Sequence, residues 1–310
     1  MRRIRNTTTA LALGGAALVV AGCGGGHPAT TPSSAPASPS AAASQASPPA
    51  PRPMATMPAG TKVPLKHKGQ LRVCALISGE PYVSEGAAGV AGTGKVHGFD
   101  VDVLSLVGER IKAAPIFVKL NPEVVVNGTA LRSGACDIVT GLTDWSGFAK
   151  TYRLTKPYER RSFALLTKKG GPASPAALAG KRVGVIGDGG GTAASDPYAY
   201  LKRYNAAHGG QIRLVPQTDT DAEVVMVQNG ALDAMATDDG RARYYAKKQP
   251  SLAASGVFGP GYPLVFGVRK GDGALARQVD AALADAGGNG QYASAYWNWF
   301  GVRPAWTPGG

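Results

Sequence analysis

The spacing of apolar and polar positions divides this chain into three stretches. Residues 11–20 form one continuous apolar run behind Arg2, Arg3 and Arg5. Residues 24–60 are Pro, Ala, Ser, Thr and Gly with almost no large apolar side chain. From Gly69 onward, short apolar runs of strand length alternate with stretches whose apolar residues recur at helical spacing, the order of an α/β chain. Residues 70–77 (QLRVCALI), 115–120, 137–139, 161–167 and 262–269 predict strands. Val103, Leu104, Val107 and Ile111 give one apolar face to a helix whose start Asp100 is placed to cap. Residues 221–230 and 274–286 predict two further helices, the first stopped by Asn229-Gly230, and Ser174-Pro175 opens a short helix as its cap and first-turn proline.

Composition sharpens this division. A chain of 310 residues has room for one large or two ordinary domains. Residues 1–22 have the basic start, short apolar centre and small-residue end of a secretory signal, and the apolar centre is too short for a stable membrane anchor. The run Val20-Ala21-Gly22-Cys23 resembles a lipobox, which implies cleavage before Cys23 and acylation of its sulfur and new amino end, palmitate included. Residues 23–68 then read as a disordered tether, because such a segment buries too little surface to offset its chain entropy. Lys+Arg 33 against Asp+Glu 20 leaves a net charge of +13. The basic residues of the folded part are scattered, with no run and no interleaved aromatic residues, which predicts a solvated basic surface and no nucleic-acid partner.

A set of motifs runs through the folded part in a fixed order. Gly98-Phe99-Asp100-Val101-Asp102-Val103 is the most specific, and Ala130-Leu131-Arg132-Ser133-Gly134 follows. Next come Asp137-Ile138-Val139 with the loop to Tyr158, then residues 179–185 (AGKRVGV), residues 232–238 (LDAMATD) and residues 292–301 (YASAYWNWFG). Together, over residues 69–301, they resemble the bacterial extracellular solute-binding proteins of family 3, the polar amino acid type of ABC importers. The resemblance implies a periplasmic-binding-protein type 2 fold with two α/β lobes joined by two crossing strands. Residues 69–160 and 268–303 would make lobe 1 and residues 161–267 lobe 2. It further implies a monomer outside the cytoplasm, lipid-anchored at the outer face of the cell membrane, that closes on a small solute and delivers it to an ABC permease.

The same resemblance nominates the site. Tyr82, Gly141, Thr143, Trp145, Phe148, Thr192 and Asp238 fall on cleft positions, with Asp238 at the place that pairs with a ligand amino group. An aspartate there equally suits the cap of a following helix. Phe148 stands where the family carries the arginine that grips an α-carboxylate. A ligand held by its cationic end is therefore expected, with Arg153 or Arg161 swinging inward as the alternative. Cys74 and Cys136 lie on strands that the family's sheet order makes neighbours, as a disulfide or as two buried thiols. His27, His67, His97 and His208 stand apart, so no metal site is expected. No cofactor fingerprint and no nucleophile motif appear, which predicts a binding protein and not an enzyme. Two other classes are open: a ligand-sensing lipoprotein, or a cyclohexadienyl dehydratase-like enzyme with Glu80 as its proton-transferring group.

Overall fold

Alternation along the buried strands decides how the layers form. Strand β1 (Gln70–Ala75) turns Leu71, Val73 and Ala75 to one face of its sheet and Cys74 to the other. Both faces are covered, so the strand reads as a nearly continuous apolar run. The computed structural model describes residues 46–75, 78–85, 96–119, 123–124, 127–143, 146–187 and 194–310. Cys23, Trp145 and Thr192 lie outside the described residues, as do the proposed signal and the first part of the tether.

After β1 come the short strands β2 (Ser84–Glu85) and β3 (Val96–His97), helix α1 (Phe99–Ile111) and strand β4 (Ala114–Lys119). Helix α2 (Thr129–Arg132), strand β5 (Ile138–Thr143), helix α3 (Ser146–Thr151) and strand β6 (Arg153–Leu154) follow. The long strand β7 (Glu159–Lys168) leads to β8 (Arg182–Ile186), α4 (Pro197–Ala207), β9 (Arg213–Gln217), α5 (Thr220–Asn229) and β10 (Ala234–Asp238). Helix α6 (Asp239–Lys248), the strands β11 (Leu252–Ala254) and β12 (Phe258–Val268), and helices α7 (Gly273–Asn289) and α8 (Gln291–Phe300) complete the order.

One curled sheet runs β4-β1-β5-β12-β7-β10-β8-β9. Its outer groups, β4-β1-β5 and β10-β8-β9, are parallel, as connections through helices require. The middle strands β12 and β7 are antiparallel to each other and to their neighbours β5 and β10. Helix α1 packs Val103, Leu104 and Val107 with Leu275, Val279 and Leu283 of α7 over one face of the first group. Leu131, Val139, Leu142, Tyr152 and Val265 fill the other face around Cys74 and Cys136. Those two cysteines are joined by a disulfide, with Cα atoms 5.6 Å apart.

Three local readings change. Asp100 does not cap α1: the cap position is Gly98, and the Asp100 side chain turns inward. Gly98 has φ 141°, and a Cβ there would lie 1.9 Å from the Tyr82 carbonyl oxygen, so only glycine permits this approach. Ser174 makes no side-chain cap for the 3-10 turn Pro175–Leu178.

The third change concerns the stretch read as the end of the tether. From residue 46 it lies along the body as an extended strap without regular structure. Arg303 donates to the carbonyls of Ala46 and Ser47, at 2.9 and 2.8 Å. Arg52 donates to the Gly288 and Asn289 carbonyls, the Ala55 amide donates to Asp285, and Met54 is buried. Met54 enters the core with Met57, Val63 and Leu65 packed beside it. Four apolar residues spread through a Pro-rich stretch leave no periodic signal, yet each packs into or against the core.

Candidate functional site

The carboxyl end of β10 carries Asp238, and the local sequence explains its place. Residues 234–238 are buried throughout, and the chain then turns directly into α6. Asp238 caps this helix, accepting from the Arg241 amide at 2.8 Å. It also accepts a hydrogen bond from the Tyr82 hydroxyl. Gly240 makes that approach possible, since a Cβ there would lie 2.4 Å from the Tyr82 hydroxyl and 3.1 Å from the Phe300 ring. Asp238 is therefore both the helix cap and one end of a longer polar cluster.

Arg161 is the centre of that cluster. Its guanidinium lies 3.3 Å from the centre of the Tyr82 ring, a cation–π contact on the ring face. It pairs with Glu159 at 2.6 Å and with Asp100 at 3.6 Å. Asp100 also accepts from the hydroxyls of Tyr158, at 3.0 Å, and Thr140, at 3.2 Å. Burial raises the Asp100 and Glu159 carboxyls, the Arg161 charge opposes this at both, and Glu159 is pushed up to about 8.

 Burial alone pulls the Arg161 guanidinium down, but Glu159, Tyr82, Asp238 and Asp100 more than reverse this and keep it charged. Burial also raises Asp239, whose carboxylate accepts from the Ser162 amide at 2.9 Å.

The expected site residues are only partly brought together. Tyr82 and Asp238 touch. Gly141 and Thr143 lie on β5, where Thr143 stands opposite Leu264 of β12. Phe148 packs with Tyr152, ring centres 6.4 Å apart, against the cluster around the disulfide. Neither arginine offered as a substitute clamp is released for that work. Arg153 donates to the Lys270 carbonyl, and Arg161 is held by Glu159 and Asp100.

No sequence motif joins Asp100, Glu159 and Arg161 into one site. A signal for two of them was present: Glu159 and Arg161 alternate within a strand, so both side chains leave by the same face. Asp100 joins them only through the fold. Among the described residues no group of His, Cys, Asp and Glu could hold a metal ion.

A family model matches residues 71–302, described as bacterial extracellular solute-binding proteins, family 3. The chain belongs to that family. A protein of Escherichia coli (strain K12) carrying the name ABC transporter arginine-binding protein 2 is 25% identical over 213 residues, covering 66% of this chain and 82% of that protein. An ancestral cationic amino acid solute-binding protein superposes with a TM-score of 0.64 at 24% identity, over 75% of this chain and 96% of the other. An ancestral arginine-binding protein bound to arginine gives a TM-score of 0.57 at 25% identity, over 75% and 99%. These solute-binding proteins share the type 2 periplasmic-binding-protein architecture, and the curled sheet described above is that fold. The family is extracellular, and no helix among the described residues is long and apolar enough to cross a membrane.

Proposed function

We propose that this family 3 protein is the substrate-binding lipoprotein of an ABC importer for a cationic amino acid or amine. The observation that carries the reading is the buried set of acidic side chains, Asp238, Asp100 and Glu159, beside the Arg161 guanidinium, with the Arg241 guanidinium reaching Asp238 only at 4.0 Å. Phe148 replaces the expected carboxylate clamp, so recognition rests on the cationic end of the ligand. The names of the E. coli relative and of the ancestral arginine-binding structure agree with that choice. Residues 69–160 with 268–303 form one lobe and residues 161–267 the other, hinged at β7 and β12. Tyr82, Gly141, Thr143, Trp145, Phe148, Thr192 and Asp238 contribute to the cleft.

Isothermal calorimetry with L-arginine and its decarboxylated amine, agmatine, tests the ligand class. Both should bind, and Asp238→Asn should weaken both by roughly 30-fold or more. Binding of the amino acid with none of the amine would return the protein to carboxylate recognition. The Val20-Ala21-Gly22-Cys23 run supports a lipid anchor at Cys23. Replacing Cys23 with Ala should move the protein from the membrane fraction to the soluble fraction; an unchanged membrane fraction would remove the anchor from the reading.

A further inference from the structure

A cavity of about 520 Å³ opens between α6, α8 and the loop that carries Glu80. It is lined by different groups from the Asp238 cluster. The indole of Trp299 forms one wall, with the His97 ring stacked at 6.2 Å and 20° and the Tyr244 ring at 6.0 Å and 31°. The indole N–H donates to Asp102 at 2.7 Å, which fixes the plane of that wall.

Glu80 supplies the polar feature. Its Oε1 is taken by His97 Nε2 at 2.6 Å. Its Oε2 is buried and accepts no well-aligned hydrogen bond among the described residues, although the Tyr244 hydroxyl faces the same carboxylate. A buried carboxylate oxygen without a well-aligned donor is unfavourable, and a ligand that donates to it reduces that cost. Among the described residues, the lysines that line the cavity do not fill the place. Lys247 Nζ donates to the Asn298 carbonyl at 2.6 Å, and Lys248 Nζ lies 4.5 Å over the outer ring, that of Tyr244. Lys248 shows at the same time that this aromatic surface accepts a cation. The volume lies within the range of small-molecule sites, roughly 300–1,000 Å³.

We propose that this cavity is a second binding site, for a small organic cation whose guanidinium or primary ammonium group donates to Glu80 Oε2 and lies against Trp299. It does not depend on the assignment of Asp238.

Agmatine titrated into the full chain tests this by the indole N–H resonance of Trp299, assigned by its loss in Trp299→Phe. The resonance should shift saturably, Glu80→Gln should weaken that response roughly tenfold, and Asp238→Asn should retain it. Should Glu80→Gln not fold, Trp299→Leu followed by calorimetry takes its place and should lose one binding event. No saturable shift up to about 10 mM agmatine would overturn the proposal. So would an equal shift from sodium chloride at matched ionic strength, or loss of the response in Asp238→Asn. Weakened arginine binding in Asp238→Asn with the Trp299 response intact is the result expected of two separate sites.

Discussion

The hydroxyl of Tyr82 donates to the carboxylate of Asp238, joining the loop after β1 to the exit of β10 across 156 residues of sequence. The donor occupies an acceptor that the proposed contact with a ligand's ammonium group needs. On that proposal, ligand-free and ligand-bound proteins differ in what satisfies Asp238.

Tyr82→Phe removes this donor and leaves the buried carboxylate with the amide and the more distant guanidinium of Arg241. The ligand-free protein should lose about 1–2 kcal/mol, and thermal unfolding should drop by roughly 2–8 °C. L-arginine should then raise the midpoint by more than it does in the unsubstituted protein. An unchanged midpoint without ligand would show that the hydroxyl contributes nothing at Asp238.

Binding of a cation should release a proton. The Glu159 carboxyl is pushed up to about 8, so it is mostly protonated at pH 7. A cation bound beside it favours the charged form and draws the value down. Calorimetry at pH 7 in phosphate and in Tris should give enthalpies that differ in the direction of proton uptake by the buffer. Equal enthalpies in the two buffers would remove Glu159 from the linkage.

Glu223 of α5 gives a stability prediction with the opposite location and a fixed sign. It is fully buried beneath the sheet, both carboxylate oxygens lack a partner among the described residues, and burial pushes it up to about 8. Because the folded value lies above the unfolded one, the folded state binds the extra proton between them. Stability should therefore fall as pH rises from about 4.5 to about 8, at up to about 1.4 kcal/mol per pH unit from this group, and level off above. Glu223→Gln should flatten this slope in urea unfolding measured from pH 5 to pH 9.

The Cys74–Cys136 disulfide closes a separation of 62 residues. Chain entropy puts its contribution at about 4 kcal/mol. Replacing both cysteines with Ser should lower stability toward urea by a comparable amount, while leaving ligand affinity within about threefold, since the pair lies in the cluster away from Asp238.

The strap makes the last prediction. A chain beginning at residue 67 should be less stable than one beginning at residue 46, because Met54 leaves the core and the Arg52, Ala55 and Lys66 contacts are lost. Burying one methionine is worth about 1.5–3 kcal/mol by itself. Equal urea midpoints for the two chains would return residues 46–66 to the role of a free tether.

What the sequence determined by itself is local or periodic. Runs such as QLRVCALI, the helical face of Val103, Leu104, Val107 and Ile111, and the stop at Asn229-Gly230 each contain their cause within a few residues. Burial on both faces makes a strand apolar throughout, and a glycine ends a helix where φ must be positive, as at Gly230 with φ 84°. The order of the motifs then carried the fold and the family. The tertiary structure decided which polar groups meet. Tyr82, Asp100, Asp238 and the Glu159–Arg161 pair of β7 come from four places in the chain, and only that pair carries a local signal of its meeting. It also decided that Arg161 is held and not released, that Phe148 packs with Tyr152, and that the strap is seated on the helices. These are long-range choices, made by the closing of the sheet and the strength of buried charge pairs, for which local spacing has no counterpart.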